Sequence, residues 1–70
     1  MYQQMIREEA ARQGYIGIDP RHVEAYMRLE HGTLDALSMS KFRKEVRISI
    51  ACIKEGGEVG AESLAKSYGL

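Results

Sequence analysis

The chain has 70 residues, with ten lysines and arginines against ten aspartates and glutamates, 44% hydrophobic and 29% charged residues, one cysteine and two histidines. Such a composition belongs to a folded globular chain rather than a disordered one, and its zero net charge encodes no overall attraction to nucleic acid or anionic lipid. A lone Cys52 excludes an internal disulfide, and His22 and His31 fall on opposite faces of one helix, so no metal and no cofactor is expected.

Glycine and the single proline punctuate the sequence at the spacing of short helices joined by tight turns. Tyr2, Ile6, Ala10 and Gln13 recur at helical spacing and predict a first helix over 2–13, with Arg7, Glu8 and Arg12 outward and Gly14 as terminator. Tyr15, Ile16 and Ile18 then make an apolar connection, expected to tuck against the core because three large side chains would otherwise face water. Asp19-Pro20 is the clearest start signal: an aspartate able to accept from orphan N–H groups, then a proline where its missing donor costs nothing. The second helix runs to about His31, where Gly32 closes it, and Ile18 with Val23 has the spacing of a hydrophobic staple. Tyr26, Met27 and Leu29 widen its apolar face, as in a helix buried on two sides. Thr33 is expected to cap a single helical turn over 34–37. Ser38 then caps a third helix reaching about Glu55, with Leu37 and Phe42 as a second staple and Gly56-Gly57 as its end. A fourth helix from about Glu58 or Gly60 to Tyr68 buries Ala61, Leu64, Ala65 and Tyr68, and sets Glu62 and Lys66 outward as a pair.

The fold expected is therefore all-α: one small domain over residues 1–70, a compact bundle of four short helices plus a one-turn helix, with helix three central. A core of this size supplies only about 3–5 kcal/mol without a disulfide, a metal or a partner subunit, which leaves association as the available staple. No apolar run approaches the roughly 18–20 residues that span a bilayer, and Met1 to Glu9 is polar where a signal peptide is apolar. A cytoplasmic location, a reduced thiol and no membrane partner are the corresponding expectations.

Helix three carries the functional signal, because its residues sort into three faces at 100° per residue. Phe42, Val46, Ser49, Ile50 and Ile53 form the core stripe. Ile48 and Cys52 lie one turn apart on a separate stripe that needs either another helix of the chain or a second subunit to cover it, and they are the candidate self-association residues. Arg43, Lys44, Arg47 and Lys54 make a basic face, which suits an acidic patch on a larger protein partner; the alternative is an ordinary solvated face. Cys52 has no base beside it in the sequence. Asp19 and Asp35 read as helix starts, and His31 as a residue suited to a helix carboxyl end, so no catalytic constellation emerges and no enzyme is expected.

The segment from Ala61 to Leu70 resembles the first helix of a helix-turn-helix, through Leu64-Ala65, Tyr68 and then Gly69-Leu70 where the turn would begin. A recognition helix would follow that glycine, and the chain stops there. The resemblance assigns no family and carries no residue roles. Two functional readings follow. The first is a non-catalytic, self-associating protein-binding module, a homodimer acting through a larger protein partner, in the style of a bacterial or phage accessory or inhibitor protein. The alternative is a DNA-associated regulator with a divergent or incomplete helix-turn-helix, with nucleic acid the less favoured partner because the net charge is zero.

Overall fold

Asp19 accepts a hydrogen bond from the Arg21 backbone N–H at 2.9 Å, Pro20 opens the first turn behind it, and Gly32 closes the last turn at a φ of 76° with its N–H on the Arg28 carbonyl. These local signals define α2, Pro20–His31. Around it lie α1 (Tyr2–Arg12), α3 (Met39–Cys52), a π-type turn (Ile53–Gly57) and α4 (Glu58–Ser67). The computed structural model describes residues 2–70, so the amino-terminal reading that starts at Met1 lies outside it at that residue. No strand occurs among the described residues, and the all-helical class holds.

Ser38 caps α3 as its spacing predicts, its side chain accepting from the Lys41 N–H at 3.2 Å. Both staples close: Val23 and Phe42 are buried, and Ile18 and Leu37 pack against the same cluster. Every residue of the expected α3 core stripe, Phe42, Val46, Ser49, Ile50 and Ile53, is buried. The apolar members join Ile6, Ala10, Val23, Met27, Leu34 and Ala61 in one core. The radius of gyration is 10.8 Å, against about 11 Å for a compact chain of this length.

Three details of the fold depart from the sequence reading. The central helix is α2, not helix three: α4 packs chiefly along α2, which also contacts α1 and α3, while α3 and α4 scarcely touch outside the turn joining them. The reason lies in how α2 is covered: Val23 and Met27 on one side of the helix and Ala25 on the opposite side are all fully buried, so neighbours pack on it from more than one direction. The expected one-turn helix at 34–37 does not form. Thr33 Oγ1 accepts from the Asp35 N–H and the Leu37 N–H reaches the Leu34 carbonyl, which makes one turn without helix, although Leu34 still plugs the core. Helix three keeps helical backbone dihedrals up to Glu55 and breaks at Glu55 and Gly56, where its end is expected, because Gly56 takes a φ of 107° that only glycine adopts freely, and the chain then enters α4 directly. Finally, Ile16 is 94% exposed instead of tucked in. Gly14 and Gly17 bracket it at positive φ and turn it outward, while Tyr15 and Ile18 pack on the core.

No helix among the described residues is long and apolar enough to cross a membrane.

Candidate functional sites on α2, α3 and α4

The α3 stripe of Ile48 and Cys52 is covered by no other element. Ile48 is 47% exposed and Cys52 is exposed as well. Both line a surface groove whose opposite wall is α2, contributed by Tyr26, Leu29 and Glu30, with Glu45 and Ser49 completing the α3 side. Leu29 is 59% exposed, so the breadth that suggested a helix buried on two sides ends here as an open apolar surface. Tyr26 anchors the groove's end by donating from its hydroxyl to the Gly57 carbonyl at 2.6 Å. Burial, and then the adjacent Cys52 thiol, push that hydroxyl above its ordinary pKa.

The four residues of the basic face have two fates. Arg43 turns to α1, where its Nε lies 3.4 Å from the nearly buried Glu9 carboxylate and Gln13 donates to its backbone carbonyl at 3.2 Å. Lys54 sits 5.0 Å over the ring of Tyr15, a cation–π contact that ties the connection after α1 to the turn after α3. Lys44 and Arg47 are exposed and make no ion pair among the described residues. The face that leaves charge available to a partner is thus Lys44 and Arg47, next to Ile48 on the outer side of α3.

A second cluster escapes the sequence reading. The His22 Nε2 lies 2.7 Å from a Glu62 carboxylate oxygen across the α2–α4 contact, and Arg21 bridges the Asp19 carboxylate at 2.9 Å and Glu62 at 3.4 Å. Glu62 therefore faces α2 instead of pairing outward with Lys66. Hydrogen bonding to His22, followed by the charges around it, holds the Glu62 carboxyl below its usual pKa. The Arg21 side chain does the same for Asp19. The signal available in the sequence was an aspartate cap two and three residues before an arginine and a histidine. Its partner, Glu62, stands 40 residues beyond His22 and no local pattern connects them. The groove beside the cluster is lined by Glu58, Val59, Ser63 and Lys66 in addition to Arg21 and His22. Histidine and carboxylate are acid–base chemistry groups, but here they are joined to each other and to Arg21, which fastens α4 to α2.

His31, read as a helix-end residue, does lie in the last turn of α2, with its Nε2 3.2 Å from the Glu45 carboxylate on α3. No group of three or more metal-binding side chains occurs among the described residues.

Both carboxylates of the α2–α4 cluster have folded pKa values below their unfolded ones, so the sign of the linkage is fixed. Their contribution to stability is whole above the unfolded-chain values, about pH 4, and is lost as the pH falls through the lower folded values. Thermal melts from pH 6 down to pH 2 are expected to show a falling midpoint below about pH 4. Glu62→Gln, which keeps a hydrogen-bond acceptor for His22 but cannot ionise, should make that fall shallower. An equally steep acid loss in the variant would remove Glu62 from the account.

Comparison with protein-family models, with curated proteins and with solved structures finds no match to this chain.

Proposed function

We propose that the chain is a non-catalytic protein-binding module that self-associates through the α2–α3 face and offers Lys44 and Arg47 to a larger protein partner. The observation that carries this reading is the pair Leu29 and Ile48, on two different helices, 59% and 47% exposed and lining one groove. Large apolar side chains scattered singly are ordinary on a protein surface, whereas two that share a groove with an aromatic ring form a surface that association would remove from water. A 70-residue core also gains most from such burial, since little else is available to reinforce it.

The DNA reading has less behind it. Two of the four residues of the basic face, Arg43 and Lys54, are engaged within the chain, by Glu9 and by Tyr15, and the net charge is zero. A protein that neutralises phosphates loses affinity steeply with added salt, and no binding to nonspecific duplex is expected here even at low salt.

Ile48→Asp tests the self-association. Ile48 is half exposed, so the substitution should leave the melting curve of the monomer nearly unchanged, within about 0.5 kcal/mol. In light scattering on a sizing column across a wide concentration range, the wild-type chain should run as a dimer and the variant as a monomer, because a carboxylate in a closed apolar contact is left without water or partner. An unchanged mass for the variant would place the contact elsewhere or nowhere.

A further inference from the structure

We propose that α4 exchanges between copies of this chain: α3 and α4 straighten into one helix, and α4 of each copy docks on α2 of the other, in the place its own α4 takes in the monomer. This contact is distinct from the α2–α3 face and does not depend on it. The first observation is that the hold on α4 is separate from its connection. α4 packs chiefly along α2 and scarcely touches α3 outside the turn joining them. The side chains that fasten it reach α2: Glu62 lies 2.7 Å from His22 and 3.4 Å from Arg21, and the Tyr68 ring lies 5.0 Å from the Arg28 guanidinium. None of these contacts depends on which copy supplies α4, so all are remade when the helix comes from a second chain.

The second observation is the hinge. Helical dihedrals run through Ile53 and resume at Glu58, and the break between them lies at Glu55 (φ −87°, ψ 16°), Gly56 (φ 107°, ψ 8°) and Gly57 (ψ 9°). Returning these residues to helical values joins Met39 to Ser67 in one helix about 44 Å long. A hinge this short cannot let α4 leave α2 without changing conformation, and a continuous helix is the regular alternative for a break with helical backbone on both sides. The glycines set the balance. Gly56 adopts its φ freely, Gly57 leaves room for the Cys52 carbonyl and the Tyr26 hydroxyl, and both are poor in a helix interior, so this sequence favours the closed turn. Opening costs the hydrogen bond from Tyr26 to Gly57 and exposes little apolar surface, because the buried residues of α4 are two alanines, Ala61 and Ala65. Exchange keeps the α2–α4 contacts and halves the number of free molecules, so concentration shifts the balance.

Replacing the glycine that permits the closed turn tests the exchange. Gly56→Ala disfavours a φ of 107° and favours the straight helix, so it should raise the dimerisation constant at least about tenfold. Placed in the Ile48→Asp background, which removes the α2–α3 contact, it should run as a dimer in light scattering where Ile48→Asp alone runs as a monomer. Inserting Ser-Gly-Ser after Glu55 of that double variant lengthens the turn and interrupts the straight helix, and should return the monomer. Isotope-filtered NMR then reads where α4 comes from. In an equal mixture of labelled and unlabelled double variant, unfolded and refolded together, the His22 ring should meet Glu62, and Arg28 should meet Tyr68, across chains. The wild type, refolded at about millimolar concentration to favour association, should show the same cross-chain contacts in its dimer fraction. Absence of cross-chain contacts from both proteins, whether they are monomers or dimers that keep each α4 on its own α2, would overturn the exchange. The mass of the wild type against that of Ile48→Asp judges the α2–α3 face separately, so either reading can fall alone.

Discussion

Met27→Ala is expected to destabilise the protein by about 2–5 kcal/mol, the range for truncating a buried methionine to alanine where neighbours only partly collapse into the space. Met27 has no exposed surface and belongs to the single core cluster, on the helix against which the others pack. For a chain of this size a loss of that order is comparable with the whole folding free energy, because small single cores contribute only about 3–5 kcal/mol. The melting temperature should fall by at least about 8 °C, and a substantial part of the population should be unfolded at ordinary temperature. Leu29→Ala, two residues along the same helix, is the control. Its side chain is largely exposed, so in the monomer it should change stability by no more than about 0.5 kcal/mol. Circular dichroism melts and urea titrations of both variants read the contrast at protein concentrations where association is negligible. Similar stabilities for the two variants would show that α2 does not organise the core as its burial indicates.

The same contrast shows how much of this molecule is legible in its sequence. Features fixed by residues within one turn of each other are readable: Asp19 before Pro20, Ser38 three residues before the Lys41 N–H, Gly32 after His31, and the α3 core stripe from Phe42 to Ile53. Each depends on a local hydrogen bond or on helical periodicity, which the sequence carries directly. The identity of the central helix is not readable in that way. The long stripe of α3 points to that helix, but centrality depends on how many sides of a helix are covered, and the burial of Ala25 opposite Val23 and Met27 carries no single-stripe signature. Ile16 failed for a related reason: apolar character predicts burial, while the two positive-φ glycines around it decide which way it points. At the candidate sites, the sequence leaves open whether another helix of the chain covers Ile48 and Cys52, and only the packing shows both exposed. The engagement of Arg43 and Lys54 does not follow, since their partners Glu9 and Tyr15 come from the first quarter of the chain. The His22–Glu62 pair is likewise a product of tertiary packing alone.

Gly57→Ala should destabilise by about 2–4 kcal/mol, although its backbone conformation, φ −84° and ψ 9°, is one that alanine adopts without strain. The obstacle is space. A Cβ at this position would stand 2.8 Å from the Cys52 carbonyl oxygen and 2.8 Å from the Tyr26 hydroxyl. The first contact is with backbone at the end of α3 and relieving it requires the turn to shift. The second displaces the hydroxyl that donates to the carbonyl of Gly57 itself, so overpacking and a lost hydrogen bond act together. Gly60→Ala separates steric contact from this geometry: its Cβ would meet only the Tyr26 hydroxyl, at 3.0 Å, and alanine favours the helix interior there by about 1 kcal/mol. It should therefore cost much less. Introducing Gly57→Ala into Tyr26→Phe removes one of the two close contacts, and the double-mutant cycle should show a smaller penalty than in the wild-type background. The consequence reaches the groove, because Tyr26 lines it and the turn at Gly57 sets where that ring stands. A Gly57→Ala protein that melts at or above the wild-type temperature would mean that α3 and α4 meet less closely than this, and that the wall of the groove is not held by the turn.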